Sequence, residues 1–495
     1  MAAGLMLVVV MLLSLFLQYH WKRRHLYKLS MKLPGPPALP IVGNGLSFLC
    51  RHEDILAVIS SLTEKYARPV RFWLGPHLFL YFSYAEHLEK ILSSTKMAHK
   101  HDIYSFVKIY LGEGLITSSG EKHKKHRKLI QPLLNAKFAS RHMETFQKHI
   151  NILMEKLSAS CDKGTFDIHD MIHLCFADII GESLLGMQMK SQYGQNLDYV
   201  HASADVYTVG YKRLMRPWYH PDLIYNFTSG KKDQSRIVDI SYNFIKNYVI
   251  KALYRIRTSK NDGTDIRAPL VDQIADLINK DNSIMNENNF IYHMYTIYLA
   301  SEDTMTIITA VLCMCFGMYP EYQKIAAEEV RSICGETSGS ISYDDFSKLS
   351  YLDMCIRDVL RLIPIAPIIA RQPTEDFVID DLVIPKNCGI VISLFEVHRD
   401  PKHWENPNHF HPDHFLPEAV RTRHPFAFVP FSAGPRSCVG KVLAMFGLKL
   451  IMVNILQQFE IEGDGKFPDI VLSCDITVRS LSGYNVRLKK RMWKK

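Results

Sequence analysis

The chain has 495 residues, 47% of them hydrophobic, with 59 Lys and Arg against 50 Asp and Glu for a formal charge of +9. This composition excludes large-scale disorder and supports a sizeable core. The charge is modest for the length, so basic residues count by placement, toward an anionic membrane surface or an acidic protein partner; no basic run interleaves with aromatics as nucleic-acid modules require.

Length alone suggests about three domains, yet no Ser/Gly/Pro-rich linker interrupts the chain after residue 45, which predicts one large unit. The cysteines, apart from Cys313 and Cys315, are scattered without a CxxC pair, so neither a disulfide framework nor a zinc site is expected.

Ala2 to Leu17 is almost wholly apolar and is followed by Trp21, Lys22, Arg23, Arg24 and Lys28. At about 1.5 Å per residue the run reaches ~24 Å, enough for a bilayer core with Gln18 and Tyr19 at the interface. A basic cluster behind the run, without an Ala-x-Ala site, favours an uncleaved anchor over a signal peptide and puts the rest of the chain in the cytoplasm. The natural membrane is the endoplasmic reticulum. Leu33-Pro34-Gly35-Pro36-Pro37 then reads as a stiff extended spacer. Arg71 to Trp73 and Leu78 to Phe82, separated by Gly75 and Pro76, predict a hairpin. Asn226-Phe227-Thr228 matches a glycosylation sequon, discounted for a cytoplasmic unit. Residues 259 to 265 form the clearest interior loop.

Two basic stretches stand out: Glu121 to Lys128, which includes His123 and Arg127, and Lys212, Arg213, Arg216 with Trp218. The first has the composition of a solvated helix face. The second suits either a membrane surface, with Trp at the interface and cations outside, or an ordinary loop.

From about Met285 to Met318 no proline interrupts an apolar pattern, predicting a core-crossing helix of roughly 50 Å. Ser301, Glu302, Asp303, Thr304 and Thr306 interrupt its apolar surface; an acid beside a hydroxyl there can pass protons into a dry site. Tyr351 to Leu362 is amphipathic, with Asp358 and Arg361 at i and i+3. His403, His409, His411 and His414 cluster without the helical spacing or Cys partners of a zinc site. Near the C-terminus, Asp475 to Ser480 and Tyr484 to Lys489 predict a hairpin turned at Gly483.

Phe431 to Gly440 organises the rest. Gly434 and Pro435 make a turn, Cys438 follows, and an apolar run from Val439 to about Phe459 predicts a buried helix, putting the thiol at a helix N-terminus that favours thiolate. Gly434 and Gly440 allow unusual dihedrals and close approach to a flat partner. Arg436 offers a fixed cation and Phe431 an aromatic shield.

Phe-x-x-Gly-x-Arg-x-Cys-x-Gly resembles the haem-binding loop of the cytochrome P450 superfamily, whose cysteine thiolate is the proximal iron ligand. The resemblance covers residues 34 to 495 and is closest to microsomal family 4, particularly insect members, through His398-Arg399-Asp400-Pro401 and Pro430 to Gly440. It implies a mainly α fold with small β-sheets, a large helical subdomain beside a smaller β-rich one. The implied organisation is a transmembrane anchor at 1–21, a basic and proline-rich hinge at 22–40 and a haem-thiolate catalytic domain at 41–495. By this resemblance Cys438 is the axial ligand, and Arg127, His123 and Arg371 join Arg436, Phe431, Gly434 and Gly440 in binding haem b. His123 stands where relatives carry tryptophan. Asp303 and Thr304 match the oxygen-activating signature, with Ser301 at its usual glycine and Met305 at its second hydroxyl. Ala300 replaces the glutamate that esterifies haem in many family 4 members, so no covalent link is expected. Asp358, Arg361 and His414 take the places of a structural Glu, Arg and Arg, two of them changed, which implies lost stability or other partners.

The implied activity is monooxygenation of an apolar small molecule, a fatty acid, hormone-like lipid or xenobiotic, with O2 and electrons from NADPH through NADPH-cytochrome reductase, cytochrome b5 being a second donor. A haem-thiolate isomerase or dehydratase, and a haem-binding protein with weakened catalysis, are the alternatives.

Overall fold

The computed structural model describes residues 2–39, 42–258, 267–336 and 341–493; the loop expected at 259–265 lies outside them. Eight helices position the site: α1 (Ala2–Lys22), α2 (Gly120–Ile130), α3 (Met143–Ser160), α4 (His169–Leu185), α5 (Leu197–Met215), α6 (Glu287–Met318), α7 (Ser350–Leu362) and α8 (Lys441–Gln458). Among the described residues eleven strands accompany them: β1 (Val70–Leu74), β2 (His77–Phe82), β3 (Phe166–Asp167), β4 (Ile368–Arg371), β5 (Phe377–Ile379), β6 (Leu382–Ile384), β7 (Gly389–Ser393), β8 (Phe459–Glu462), β9 (Leu472–Cys474), β10 (Val478–Ser480) and β11 (Asn485–Lys490).

Among the described residues, three helices are apolar and long enough to cross a membrane, but only α1 is exposed along its length; α6 and α8 are mostly buried in protein. The 32-residue α6 begins where Asn286 accepts a hydrogen bond from the Asn289 amide at 2.9 Å and stops before Pro320, which opens the next helix. Helices α6 and α8 cross where Gly447 has no side chain: a Cβ there would lie 3.1 Å from Met305 Sδ and from the Phe146 ring of α3. The close contact keeps the start of α8 against the middle of α6.

The strands follow the order β1-β2-β7-β4 in the main sheet, whose β1–β2 hairpin has the register Arg71 to Leu80. The proline spacer does not stand free. Pro34 O accepts the Arg71 amide at 2.9 Å, Pro36 O accepts Arg71 Nη1 at 2.7 Å, and a Cβ on Gly35 would meet Arg71 O at 2.1 Å. The segment is therefore docked along β1.

The C-terminal hairpin expected through Gly483 does not form. β10 turns back on β9, pairing Val478 with Cys474, while β11 pairs with β8 and β3. Three residues, 475–477, suffice for the first reversal; Gly483, at φ +77°, then turns the chain toward Asp167, whose Oδ2 accepts the Tyr484 amide at 3.1 Å. Arg213, expected among surface cations, is buried: it pairs with Asp222, donates to Gln234 at 3.3 Å and lies 4.0 Å over the Tyr225 ring. Lys212, Arg216 and Trp218 remain exposed.

Candidate active site

The loop before α8 is closed by the Cys438 amide donating to Phe431 O at 2.8 Å. Gly434 is required at the turn, since its φ is +64° and a Cβ would lie 2.0 Å from Leu92 O. Gly440 differs from expectation: its φ is −91°, open to any residue, and an added Cβ would meet only Cys438 Sγ, at 3.8 Å. Helix α8 starts at Lys441, with Gly440 as its cap, two residues later than the apolar pattern suggested, because Val439 and Gly440 complete the turn. Upstream, His398 Nε2 accepts the Val429 amide at 2.9 Å, joining the His398-Arg399 segment to the loop.

Cys438 is exposed to water-sized access although protein surrounds it on almost every side, so its sulfur borders an internal space. Burial raises its pKa above the ordinary thiol value; hydrogen bonds from the Gly440 and Lys441 amides and the charge of Arg127 pull the other way without prevailing. The helix terminus alone does not produce the thiolate. A bound metal cation does, since a coordinating thiol is deprotonated outright.

Five basic side chains converge on this space from four segments: Lys100, His123 and Arg127 of α2, Arg371 of β4, and Arg436. Arg127 donates to Ser437 O at 2.6 Å and Ser437 Oγ at 2.9 Å; Arg436 donates to Ser118 O at 2.8 Å and Ile116 O at 3.2 Å. Arg371 is 2% exposed; it donates to its neighbour's carbonyl, Ala370 O, at 3.0 Å and interacts with the Tyr104 hydroxyl. Burial and then Arg371 push Arg436 down to about 9; burial, Arg436 and Arg127 push His123 down to about 3; burial, Arg371 and Arg436 hold Lys100 well below the lysine range. The charges acting on Lys100 and His123 are all cationic, and no carboxylate forms an ion pair with any of the five among the described residues. Buried cations of one sign are stable only with an anionic partner. Haem fits: a thiol for its iron, and basic donors for its two propionates. Lys100 went unnoticed in the sequence, where a lysine between two histidines reads as surface; only the fold brings it to Arg371 and Arg436.

Helix α6 packs against α8, the helix that Cys438 precedes. Ala300, Ser301 and Thr304 are partly exposed while their neighbours Leu299, Glu302, Asp303 and Met305 are buried, so one helical face of α6 is open. Thr304 Oγ1 donates to Ala300 O at 2.8 Å. Glu302 and Asp303 turn away: Asp303 pairs with Arg479 of β10 at 2.6 Å and Glu302 with His173 of α4 at 2.6 Å. Asp303 and Thr304, expected as one relay, thus occupy different faces.

Asp358, Arg361 and His414 form one buried network. Asp358 Oδ1 accepts Arg361 Nε at 2.6 Å and His414 Nδ1 at 2.9 Å; Oδ2 accepts Arg361 Nη2 at 3.2 Å and the His411 amide at 2.6 Å. All four acceptor positions are filled. His414 Nε2 meets Glu405 O at 2.6 Å, so the ring spans Asp358 and Glu405 at the place where relatives carry an arginine. Arg361 also donates to His398 O, Pro407 O and His409 O. The altered triad has found other partners.

The family model described as Cytochrome P450 matches residues 33–482. Among curated proteins the chain is similar to Cytochrome P450 4V2 of Mus musculus (28% identical, covering 92% of this chain and 89% of that one) and Cytochrome P450 4c3 of Drosophila melanogaster (28%, 96% and 92%). It is likewise similar to Cytochrome P450 4c21 of Blattella germanica (29%, 94% of both). A cysteine on the wall of an internal space, basic groups awaiting a dianion and a match over nearly the whole chain agree: this protein belongs to the cytochrome P450 family and is a monooxygenase that binds haem b without a covalent link.

Proposed function

We propose that the chain inserts one oxygen atom of O2 into an apolar small molecule, a fatty acid, hormone-like lipid or xenobiotic, reducing the other to water with electrons from NADPH. NADPH-cytochrome reductase is the donor, with cytochrome b5 as a second source. The observation that carries this reading is the Thr304 hydroxyl on an open helical face of α6, which packs against the helix that Cys438 precedes.

When bound, haem supplies the site for O2 reduction, and the thiolate favours O–O cleavage. Cys438 would hold the iron through its sulfur; Arg127, His123, Arg371, Arg436 and Lys100 would hold the propionates; Phe431 would shield the sulfur; Gly434 shapes the loop. Thr304 Oγ1, whose own hydrogen goes to Ala300 O, offers its lone pairs as an acceptor on the open face, and Asp303, with one oxygen unpartnered among the described residues, accepts and returns protons on the buried face. Asp358, Arg361 and His414 brace the region structurally.

We assign residues 1–21 to a membrane anchor, 22–40 to the hinge and 41–495 to the catalytic domain, on the cytoplasmic face of the endoplasmic reticulum. Trp218, Leu223, Ile224 and Phe227, all at least 49% exposed, make a second apolar patch that supports contact with lipid.

The test is NADPH-dependent O2 consumption by the full chain with reductase in vesicles, after a spectral screen for apolar ligands. Consumption without stimulation by any ligand that binds overturns the reading. The pairing of Asp303 with Arg479 favours one alternative, rearrangement or dehydration of a peroxide substrate; product from a peroxide without NADPH or reductase, and none with them, would establish it.

A further inference from the structure

The mechanism so far does not use Glu302. It is 1% exposed, in the helix that spans the core, and an isolated carboxylate there is costly. Ser203 of α5 donates to its Oε2 at 3.1 Å, and among the described residues Oε1 has no partner except His173, whose Nε2 lies 2.6 Å away. Next to it Asp303, 4% exposed, receives Arg479 on Oδ1, while Oδ2 is unpartnered among the described residues. Tyr207 of α5 completes the wall, with Arg479 5.6 Å over its ring and its hydroxyl donating to Leu299 O at 3.3 Å.

His173 is itself only 8% exposed, so its link to solvent runs along α4. His169, one turn earlier, has its ring centroid 5.6 Å from that of His173 and bonds Asp170 Oδ1 at 3.2 Å; the Asp170 side chain is 92% exposed. His201 of α5, also exposed, adds its charge to His169 and His173 around Asp170. Titratable groups therefore run from solvent through Asp170, His169 and His173 to Glu302 and Asp303. His173 is the narrow point.

We propose that His173 is the port through which protons from solvent enter the pair Glu302 and Asp303 and so reach the Thr304 face. Protonated His173 gives the hydrogen on Nε2 to Glu302 Oε1 and is reprotonated from water at the Asp170 end. Two protons entering for every two electrons from the donor balance the reduction of one oxygen atom to water. Burial opposes a charge on His173, but Glu302 and then Asp303 outweigh it and raise its pKa above the usual imidazole value; burial raises Asp303 despite Arg479 and His173. Both shifts run in the same direction, toward the protonated form of each group. The inference rests on the monooxygenase reading. His173 acts through the acids and is a positioning residue for protons, with no contact to the reacting atoms.

The experiment uses the full chain, haem-loaded, with reductase in vesicles and whichever screened compound gives product. Haem content, the carbon monoxide spectrum, product per NADPH, the solvent deuterium isotope effect and product driven by hydrogen peroxide are measured for wild type and His173→Gln. Hydrogen peroxide already carries the two electrons and two protons that O2 lacks. Intact haem and spectrum, NADPH-driven product down about tenfold, a larger isotope effect and unchanged peroxide-driven product are expected. Parallel loss of both activities, or loss of neither, overturns the proposal. Should His173→Gln fail to hold haem, the surface double variant His169→Gln/Asp170→Asn decides: a selective loss of NADPH-driven product supports the port, and unchanged product overturns it. Wild type active with peroxide but never with NADPH fails the monooxygenase reading instead.

Discussion

Arg127 holds Ser437 by two bonds, to its carbonyl at 2.6 Å and its hydroxyl at 2.9 Å, and so fixes the residue immediately before Cys438 from a helix more than 300 residues earlier in the chain. The planar guanidinium can make both contacts; a lysine ammonium cannot match that fork. Arg127→Lys is therefore predicted to fold but lose haem about tenfold faster, equivalent to about 1.4 kcal/mol. Haem transfer to an excess of an acceptor protein measures this. An unchanged rate would mean that charge alone, without the clamp, retains haem.

Cys438 is predicted to be the sole protein ligand of the iron. Cys438→His should keep the fold, because Gly434 and the Phe431 to Cys438 backbone bond shape the loop without the sulfur. The red-shifted carbon monoxide spectrum of a thiolate-bound ferrous haem should vanish; its survival would move the ligand elsewhere.

The structural triad reverses a stability expectation. Restoring the family's residues with Asp358→Glu and His414→Arg would insert a methylene where Asp358 is 0% exposed and a longer cation where His414 already spans Asp358 and Glu405 O. Overpacking of this kind costs about 1–3 kcal/mol. The double variant is predicted to melt a few degrees lower than wild type, by calorimetry of the haem-bound protein. A rise would show that the present network is strained.

How far the sequence reached depended on whether a feature was local. The Cys438 loop, the length of α6 and the β1–β2 hairpin were legible because turn residues and apolar period determine them over short spans. Lys100 and the His173–Glu302 pair were not, since each depends on segments brought together over long sequence distances. The C-terminal hairpin failed for the same reason: β10 and β11 each read as a strand, but their partners β9, β8 and β3 decide the pairing. Arg213 was misassigned because sequence charge says nothing about the nearby exposed Asp222 and buried Gln234 that partner it.

A second histidine pair sets the response to acid. His126 of α2 and His293 of α6 are buried with Nδ1 and Nε2 2.7 Å apart; burial, then neighbouring cations for His126 and His126 itself for His293, hold them at about 4 and about 3. Both stay neutral in the fold while the unfolded chain takes up protons below the ordinary value of 6.5. The unfolded state then binds more protons, so stability falls as pH drops from 6.5 toward 4. The double variant His126→Leu/His293→Leu should show a shallower decline of melting temperature over that window. An equal slope would assign acid sensitivity to other groups.

Thr304 separates oxygen activation from rearrangement. Its hydroxyl donates to Ala300 O, which holds the oxygen on the open face of α6 with its lone pairs free to accept a hydrogen bond. Monooxygenation needs two protons delivered in step with two electrons, whereas rearrangement of a peroxide needs none from outside, so only the first depends on this group. Thr304→Ala removes the hydroxyl and leaves the apolar face that contacts substrate. Substrate binding should persist while NADPH electrons are diverted to hydrogen peroxide or water. Product per NADPH is predicted to fall about tenfold, or about 1.4 kcal/mol on that partition. Ser301 stands one turn before Thr304 and is, like it, partly exposed, so Ser301→Gly, which removes a side chain on that face, is predicted to raise coupling. Product, peroxide and NADPH consumption measured together test both variants. Unchanged coupling in Thr304→Ala would remove the hydroxyl from proton delivery and leave rearrangement as the chemistry that needs no relay.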